Sequence, residues 1–236
     1  MPTTRPVERD LQPVVEEFFR EGVALVPAVL DPEEVAALRA KTDALVADPD
    51  LPARHRDDNG GTFVLRYCHE TDPLFAELIE RESIVRLAAA VLDSGAAFNA
   101  MNVIRNEPGQ AISHWHVDDR VEFPLPEEVA RFDARIRMPV LWLTLQIALS
   151  DIDTIEHGPT QFVPGSHYSG RRPPAGENPE FEGRGPKPIL CKAGDAYLFN
   201  HQCWHRGAPN RSDRTRYLMQ IQYAQRWADR RFKGFA

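Results

Sequence analysis

From Leu141 to Leu149 the chain alternates without a break, and this alternation limits the fold more than any other feature. Leu141, Leu143, Leu145, Ile147 and Leu149 are aliphatic, while Trp142, Thr144, Gln146 and Ala148 between them are aromatic, polar or small. Successive side chains of a strand point to opposite faces, so the aliphatic face packs a core. The other face either lines a pocket or meets solvent as the polar side of a sandwich. A later strand, 217–223, divides in the same way: Tyr217, Met219, Ile221 and Tyr223 on one face, Gln220 and Gln222 with Arg216 on the other. Two strands with polar faces of this kind favour the pocket.

Further short strands bounded by turn residues are expected at 98–105, 160–163, 188–191 and 196–199. The N-terminal third reads as helical instead. Asp31-Pro32-Glu33-Glu34 carries an N-cap, a first-turn proline and a capping-box glutamate, followed at helical spacing by Val35, Leu38, Thr42 and Leu45. Thr71-Asp72-Pro73 opens a second helix with Leu74, Phe75, Leu78 and Ile79 on one side, and 84–92 a third. The 20 prolines gather around 124–126 and 173–188, which reads as long loops, and there is no internal repeat. The expectation is a mainly β fold with helices (α+β) in a single domain over 1–236, with mostly helical support over 1–96 and the β core over 97–225.

A formal charge of -7 and a pI near 5.6 argue against nucleic acid as the partner, since phosphate binding needs clustered basic residues. Residues 1–20 lack the apolar core of a signal peptide, and no stretch approaches the ~20 apolar residues of a membrane span. Cys68, Cys191 and Cys203 form no CxxC pair and leave an odd count, against a disulfide framework or zinc knuckle. These features point to a cytoplasmic protein, monomer or homodimer, that acts on a small molecule without a membrane or nucleic-acid partner.

The chemistry-bearing residues begin with His116-Val117-Asp118, joined from downstream by His205. Residues two apart on a strand point the same way, so His116 and Asp118 can present a nitrogen and an oxygen to one ion, with His205 from a distant strand. Three such ligands occupy one face of an octahedron, and the open positions suit Fe(II) that must bind a chelating co-substrate and O2. An H-x-D triplet alone is common by chance, and its bland reading is a surface turn. A rival donor set takes His114 and His116 with Glu122, as cupin-type barrels do, although the spacing is longer and the usual glycines are absent.

Three ordered blocks carry a family resemblance. The first is His116-Val117-Asp118. The second is Asp151-Ile152-Asp153 leading to His157-Gly158-Pro159 and Pro164-Gly165-Ser166-His167. The third runs from Gly194-Asp195 and Phe199 through Trp204-His205-Arg206-Gly207-Ala208-Pro209-Asn210-Arg211-Ser212 to Arg216. Together they resemble the phytanoyl-CoA dioxygenase superfamily of Fe(II)/2-oxoglutarate oxygenases over residues 17–223. That resemblance implies a double-stranded β-helix, a jelly roll with the helices as an N-terminal wrapper.

The same resemblance gives His116, Asp118 and His205 the metal-binding, catalytic role, and Arg216 the 2-oxoglutarate. A guanidinium meets a carboxylate in two parallel charge-assisted bonds, and strand alternation favours Arg216 over its neighbour Arg214. Thr144, Gln146 and Asn102 are weaker candidates for the same co-substrate. Fe(II), 2-oxoglutarate and O2 are then the cofactors, with decarboxylation of 2-oxoglutarate to succinate driving oxidation of an unactivated C–H bond. Hydroxylation is the default. The carboxylate at Asp118 disfavours halogenation, while desaturation, ring closure and epimerisation need the same ligands.

His157 departs from the asparagine usual in the second block, at a turn. Gly165, Ser166 and His167 read as turn and packing residues, as do His201 and His69. The substrate pocket is expected from His114 and Trp115, from 119–139, from 60–66, and from Arg105 if it faces inward, where it would favour a carboxylate or phosphate. The substrate would be a small polar metabolite, such as an amino-acid derivative. A catalytically silent jelly-roll binding protein is the alternative from another class, and the retained triad and arginine count against it.

Overall fold

The computed structural model describes residues 10–58, 61–92, 95–110, 114–118 and 121–228. A seven-stranded antiparallel sheet runs β1 (Val23–Val26), β8 (Ala196–Asn200), β5 (Trp142–Ala148), β10 (Arg216–Gln225), β4 (Ala96–Asn106), β3 (Thr62–Arg66), β2 (Arg56–Asp58). Facing it is a three-stranded sheet, β7 (Lys187–Pro188), β6 (Thr160–Phe162), β9 (His205–Gly207). The helices are α1 (Gln12–Glu21), α2 (Pro32–Ala47), the single turn α3 (Pro73–Ala76) and α4 (Glu82–Leu92). Mostly antiparallel and closed by two facing sheets, this is the double-stranded β-helix that the resemblance implied.

The two faces of β5 meet different layers. Leu143, Leu145 and Ile147 pack with Met219 and Ile221 of β10, Met101 and Val103 of β4 and Leu38, Phe18 and Leu87 of the helices in the main core. Ala148 on the opposite face joins Tyr197, Phe199, Leu218, Ile104 and Phe162 in a second core between the sheets. Thr144 and Gln146 share that inner face and are buried. Helices therefore cover one side of the large sheet, and the polar side of β5 and β10 is left for the barrel interior.

Local chemistry explains several elements. Asp31 caps α2 by accepting from the Glu34 N–H at 2.9 Å, while Glu34 Oε2 accepts from the Asp31 N–H at 3.0 Å, so both arms of the box form. The second helix expected from Asp72 stops after one turn, with Asp72 accepting from Leu74 N–H. Gly194 sits at φ 91, and a Cβ there would lie 2.4 Å from the Leu30 carbonyl, so this turn docks against the entry to α2 through contact that only glycine permits.

Beside the helices, residues 1–96 supply β1 at one edge of the large sheet and the β2–β3 pair at the other. Pairing with β8 and β4 stabilises these short segments, and such tertiary pairing overrides a weak local pattern.

Candidate metal and co-substrate site

His116 enters the barrel on an isolated bridge. Its N–H donates to the His205 carbonyl at 2.9 Å, and the His205 N–H donates back at 3.0 Å. The next turn is held by the Asp118 N–H on the His201 carbonyl at 3.1 Å. Ser166 Oγ accepts the Trp204 N–H at 2.8 Å, which fixes the approach to His205 and gives the Pro-Gly-Ser-His block a structural task. These main-chain bonds bring the three sequence-expected ligands together.

Asp118 Oδ1 lies 3.5 Å from His116 Nε2 and 3.3 Å from His205 Nε2, and the three donor atoms fall within 4.8 Å of one another. Each ring is set by the same local device: His116 Nδ1 bonds the His114 carbonyl at 2.7 Å and His205 Nδ1 the Cys203 carbonyl at 2.9 Å. A carbonyl only accepts, so Nδ1 carries the proton and the Nε2 lone pair is left for a metal. Burial works to lower the His116 pKa, but Asp118 and the His114 carbonyl outweigh it and raise it. Burial likewise works to raise the Asp118 pKa, and the rings of His205, His201 and His116 hold it well below the ordinary carboxylate range. His205 is buried against Phe199 and Phe162, whereas the Asp118 side chain keeps 27% of its surface, so the site opens on that side.

On the inner face of β10, Arg216 is 2% exposed, and none of its three guanidinium nitrogens has a hydrogen-bond partner among the described residues. Burial pushes its pKa down to about 10, which leaves it charged at neutral pH. The titratable neighbours that act on it cannot neutralise it: burial pushes the Cys191 thiol up to about 12 and the Tyr197 hydroxyl up as well. A buried, unpaired cation costs several kcal/mol, so the cavity is built for an anion that arrives from outside. The far carboxylate of 2-oxoglutarate fits that need, and a histidine, carboxylate, histidine set with both Nε2 atoms turned inward fits Fe(II).

Of the weaker co-substrate candidates, Thr144 Oγ1 lies 2.7 Å from His201 Nε2, and Gln146 Oε1 accepts from Tyr197 OH. Thr160 Oγ1 meets the same tyrosine hydroxyl at 2.7 Å. Asn102 Oδ1 accepts the Tyr67 N–H at 3.1 Å. His201, read as a packing histidine, in fact brings Nε2 to 3.6 Å from Asp118 Oδ2. Alternation of Tyr197 and Phe199 along β8, both in the core between the sheets, was the signal that could have found Tyr197, whereas His201 lies just past the end of that strand.

The substrate candidates separate. Arg105 turns to the helical side, binding Asp43 at 3.1 Å and Glu107 at 2.7 Å and lying over the Tyr217 ring. As an odd-numbered residue of β4 it shares the face of Met101 and Val103, away from the site. Trp115 also faces away from the triad: it is buried with Val117, Val163 and Trp204, donates to the Glu177 carbonyl at 2.8 Å, and lies under the Arg206 guanidinium. His114 is exposed, and neither it nor Glu122 belongs to the donor cluster among the described residues, so the rival cupin-type set does not assemble. Arg214 stays in the turn, against His157 and Asp153. Gly60, Asp119 and Arg120 lie outside the described residues. The rest of the proline-rich insert is tied down by the Phe132 N–H on the Tyr168 carbonyl and by Gln202 on Glu122 N–H.

The family profile for phytanoyl-CoA dioxygenase (PhyH) matches residues 18–218, most of the chain. The chain belongs to the phytanoyl-CoA dioxygenase family. It is a dioxygenase of the iron- and 2-oxoglutarate-dependent kind. The dioxygenase trt7 of Aspergillus terreus (strain NIH 2624 / FGSC A1156) is 24% identical over 214 residues, 83% of this chain and 67% of that protein. Among solved structures, the epimerase SnoN in complex with Fe3+, alpha ketoglutarate and nogalamycin RO superposes with a TM-score of 0.70 at 23% identity, covering 91% of this chain and 83% of that one. HygX from Streptomyces hygroscopicus, with nickel, 2-oxoglutarate and hygromycin B bound, gives 0.72 at 16% identity, covering 90% and 86%.

Proposed function

We propose that the chain works as one domain in the cytosol, as a monomer or homodimer, and oxidises an unactivated C–H bond of a small, oxygen-rich metabolite. His116, Asp118 and His205 would hold Fe(II), and Arg216 would hold the far carboxylate of 2-oxoglutarate. The observation that carries this reading is the Arg216 guanidinium, unpaired among the described residues and buried on the same inner face as Thr144 and Gln146.

The chemistry supplied by bound iron with O2 is decarboxylation of 2-oxoglutarate to succinate and CO2, coupled to removal of a substrate hydrogen. The chain's own residues set the conditions. The His114 and Cys203 carbonyls hold both imidazoles in the metal-binding tautomer. Phe162 and Phe199 keep water from one flank of His205. Arg216 fixes the direction in which the co-substrate lies, which orients its chelating end toward the triad. The proposed outcome is hydroxylation. Nogalamycin RO and hygromycin B in the related structures support an oxygen-rich substrate, and no helix among the described residues is long and apolar enough to cross a membrane.

The test is succinate formation by purified protein supplied with Fe(II), 2-oxoglutarate and air, without added substrate. Slow succinate release that disappears in Asp118→Ala supports the reading; equal release by both proteins contradicts it.

A further inference from the structure

The inner face of the large sheet carries a row of carboxamides. In the strand register Gln220 of β10 stands directly between Asn102 of β4 and Gln146 of β5, and Asn102 in turn faces Arg66 of β3. One step along β10, Gln222 stands between Ala100 and Thr144. Neighbouring strands lie about 4.8 Å apart, so these groups form a continuous patch across four strands.

The patch lies on the metal side. Thr144, beside Gln222, is bonded to His201 Nε2, which lies 3.6 Å from Asp118 Oδ2. The register of β10 against β4 slips immediately after Gln222, and such bulges re-aim side chains next to active sites. Ala100 opposite leaves room above Gln222. Gln220, Gln222 and Asn102 are half-buried, and neither glutamine side chain bonds another described residue, although carboxamides within a sheet this well packed ordinarily do.

The patch is also neutral. Arg66, the cation at its edge, is held by Asp57 through both Nε and a terminal nitrogen. Arg105, the candidate for an anionic substrate group, faces the helices. A carboxamide offers two donors and an acceptor without charge, the complement of hydroxyl groups, which both donate and accept.

We propose that Gln220, Gln222 and the Asn102 amide are specificity determinants that recognise neutral, hydroxyl-rich substrates of the glycoside class. This rests on the iron and 2-oxoglutarate reading above and adds the substrate class. A carboxylate or phosphate finds no free cation on this patch among the described residues, and an alkyl chain would leave the Gln220 and Gln222 carboxamides and the Asn102 amide nitrogen without a partner, at a cost that disfavours it.

The test uses the Fe(II)-loaded protein with saturating 2-oxoglutarate, reading succinate above the substrate-free rate with three probe sets: neutral glycosides, long-chain acyl thioesters and amino acids. The expected result is stimulation by a glycoside, with its half-saturation raised at least tenfold in Gln220→Leu and Gln222→Leu. In the same variants the anaerobic Fe(II)/2-oxoglutarate absorption band should keep its position. Thermal melting of each variant separates a lost contact from a lost fold. Stimulation by thioesters or amino acids alone, or by no probe, overturns the proposal. So does weakening of the band in the leucine variants, which would assign the patch to the co-substrate. A wild-type protein that forms no band at all overturns the co-substrate reading itself.

Discussion

His116 and His205 exchange both of their main-chain hydrogen bonds, at 2.9 and 3.0 Å, and their rings lie with centroids 4.3 Å apart. The two nitrogen ligands are thus positioned by a piece of sheet rather than by loops. Side chains on such a scaffold reach a metal with little further ordering.

The arrangement separates His116 from its neighbours. His114→Ala should leave Fe(II) affinity within about twofold, because that ring is exposed and outside the donor cluster. Trp115→Ala should instead cost about 3–5 kcal/mol of stability, since it empties a packed site between Arg206 and Val163. Metal titration and chemical denaturation of the two variants distinguish these effects; loss of metal binding in His114→Ala would favour the rival donor set.

Arg216 predicts opposite effects on stability and on binding. Replacing an unpaired buried cation with an apolar side chain of similar length, Arg216→Met, should stabilise the ligand-free protein by about 1–4 kcal/mol. The same variant should lose the stabilisation by 2-oxoglutarate, which for the wild type with metal is about 2.7 kcal/mol at a hundredfold excess over Kd. Because burial lowers the Arg216 pKa to about 10, the protonated form is the one that folding disfavours, and the penalty is present in full throughout the neutral range. Melting temperatures with and without co-substrate read both effects.

His116 sets a pH dependence. Its pKa in the folded, metal-free protein is raised above the ordinary histidine value. The stability this contributes is therefore fully present below the unfolded pKa and is lost as pH rises through the folded one. Metal needs the neutral ring, so Fe(II) affinity should change in the opposite sense and strengthen from pH 6 to pH 8. Melting curves at both pH values, with and without metal, should cross in this way, and His116→Gln should flatten the metal-free dependence.

Two glycines separate strain from collision. Gly194 and Gly183 both have left-handed backbone, at φ 91 and 72, but only Gly194 has backbone, the Leu30 carbonyl, 2.4 Å from where a Cβ would sit. Gly183→Ala should cost about 1 kcal/mol, and Gly194→Ala about 2–4 kcal/mol through the added clash. Equilibrium unfolding of the pair measures the difference.

What the chain disclosed in advance follows from how local each signal is. The alternation of β5, the capping box at Asp31 and the polar face of β10 are all set by neighbours in sequence, and each is present in the fold. The strands β1, β2 and β3 were missed because each has only three to five residues and gains its stability from partners distant in sequence. The direction of Arg105 followed from the register of β4, with Met101 and Val103 on its own face, and could have been read from alternation. The turn that carries Trp115 away from His116 has no such period, and neither does the loop that folds His201 back onto Asp118.

The measurement that bears most directly on the account is anaerobic titration of the purified apoprotein with Fe(II) and then 2-oxoglutarate, following the weak visible charge-transfer band of the chelate. A band should form with both additions, be lost in Asp118→Ala and be weakened in Arg216→Ala. Binding of Fe(II) with no band on addition of 2-oxoglutarate would contradict the account.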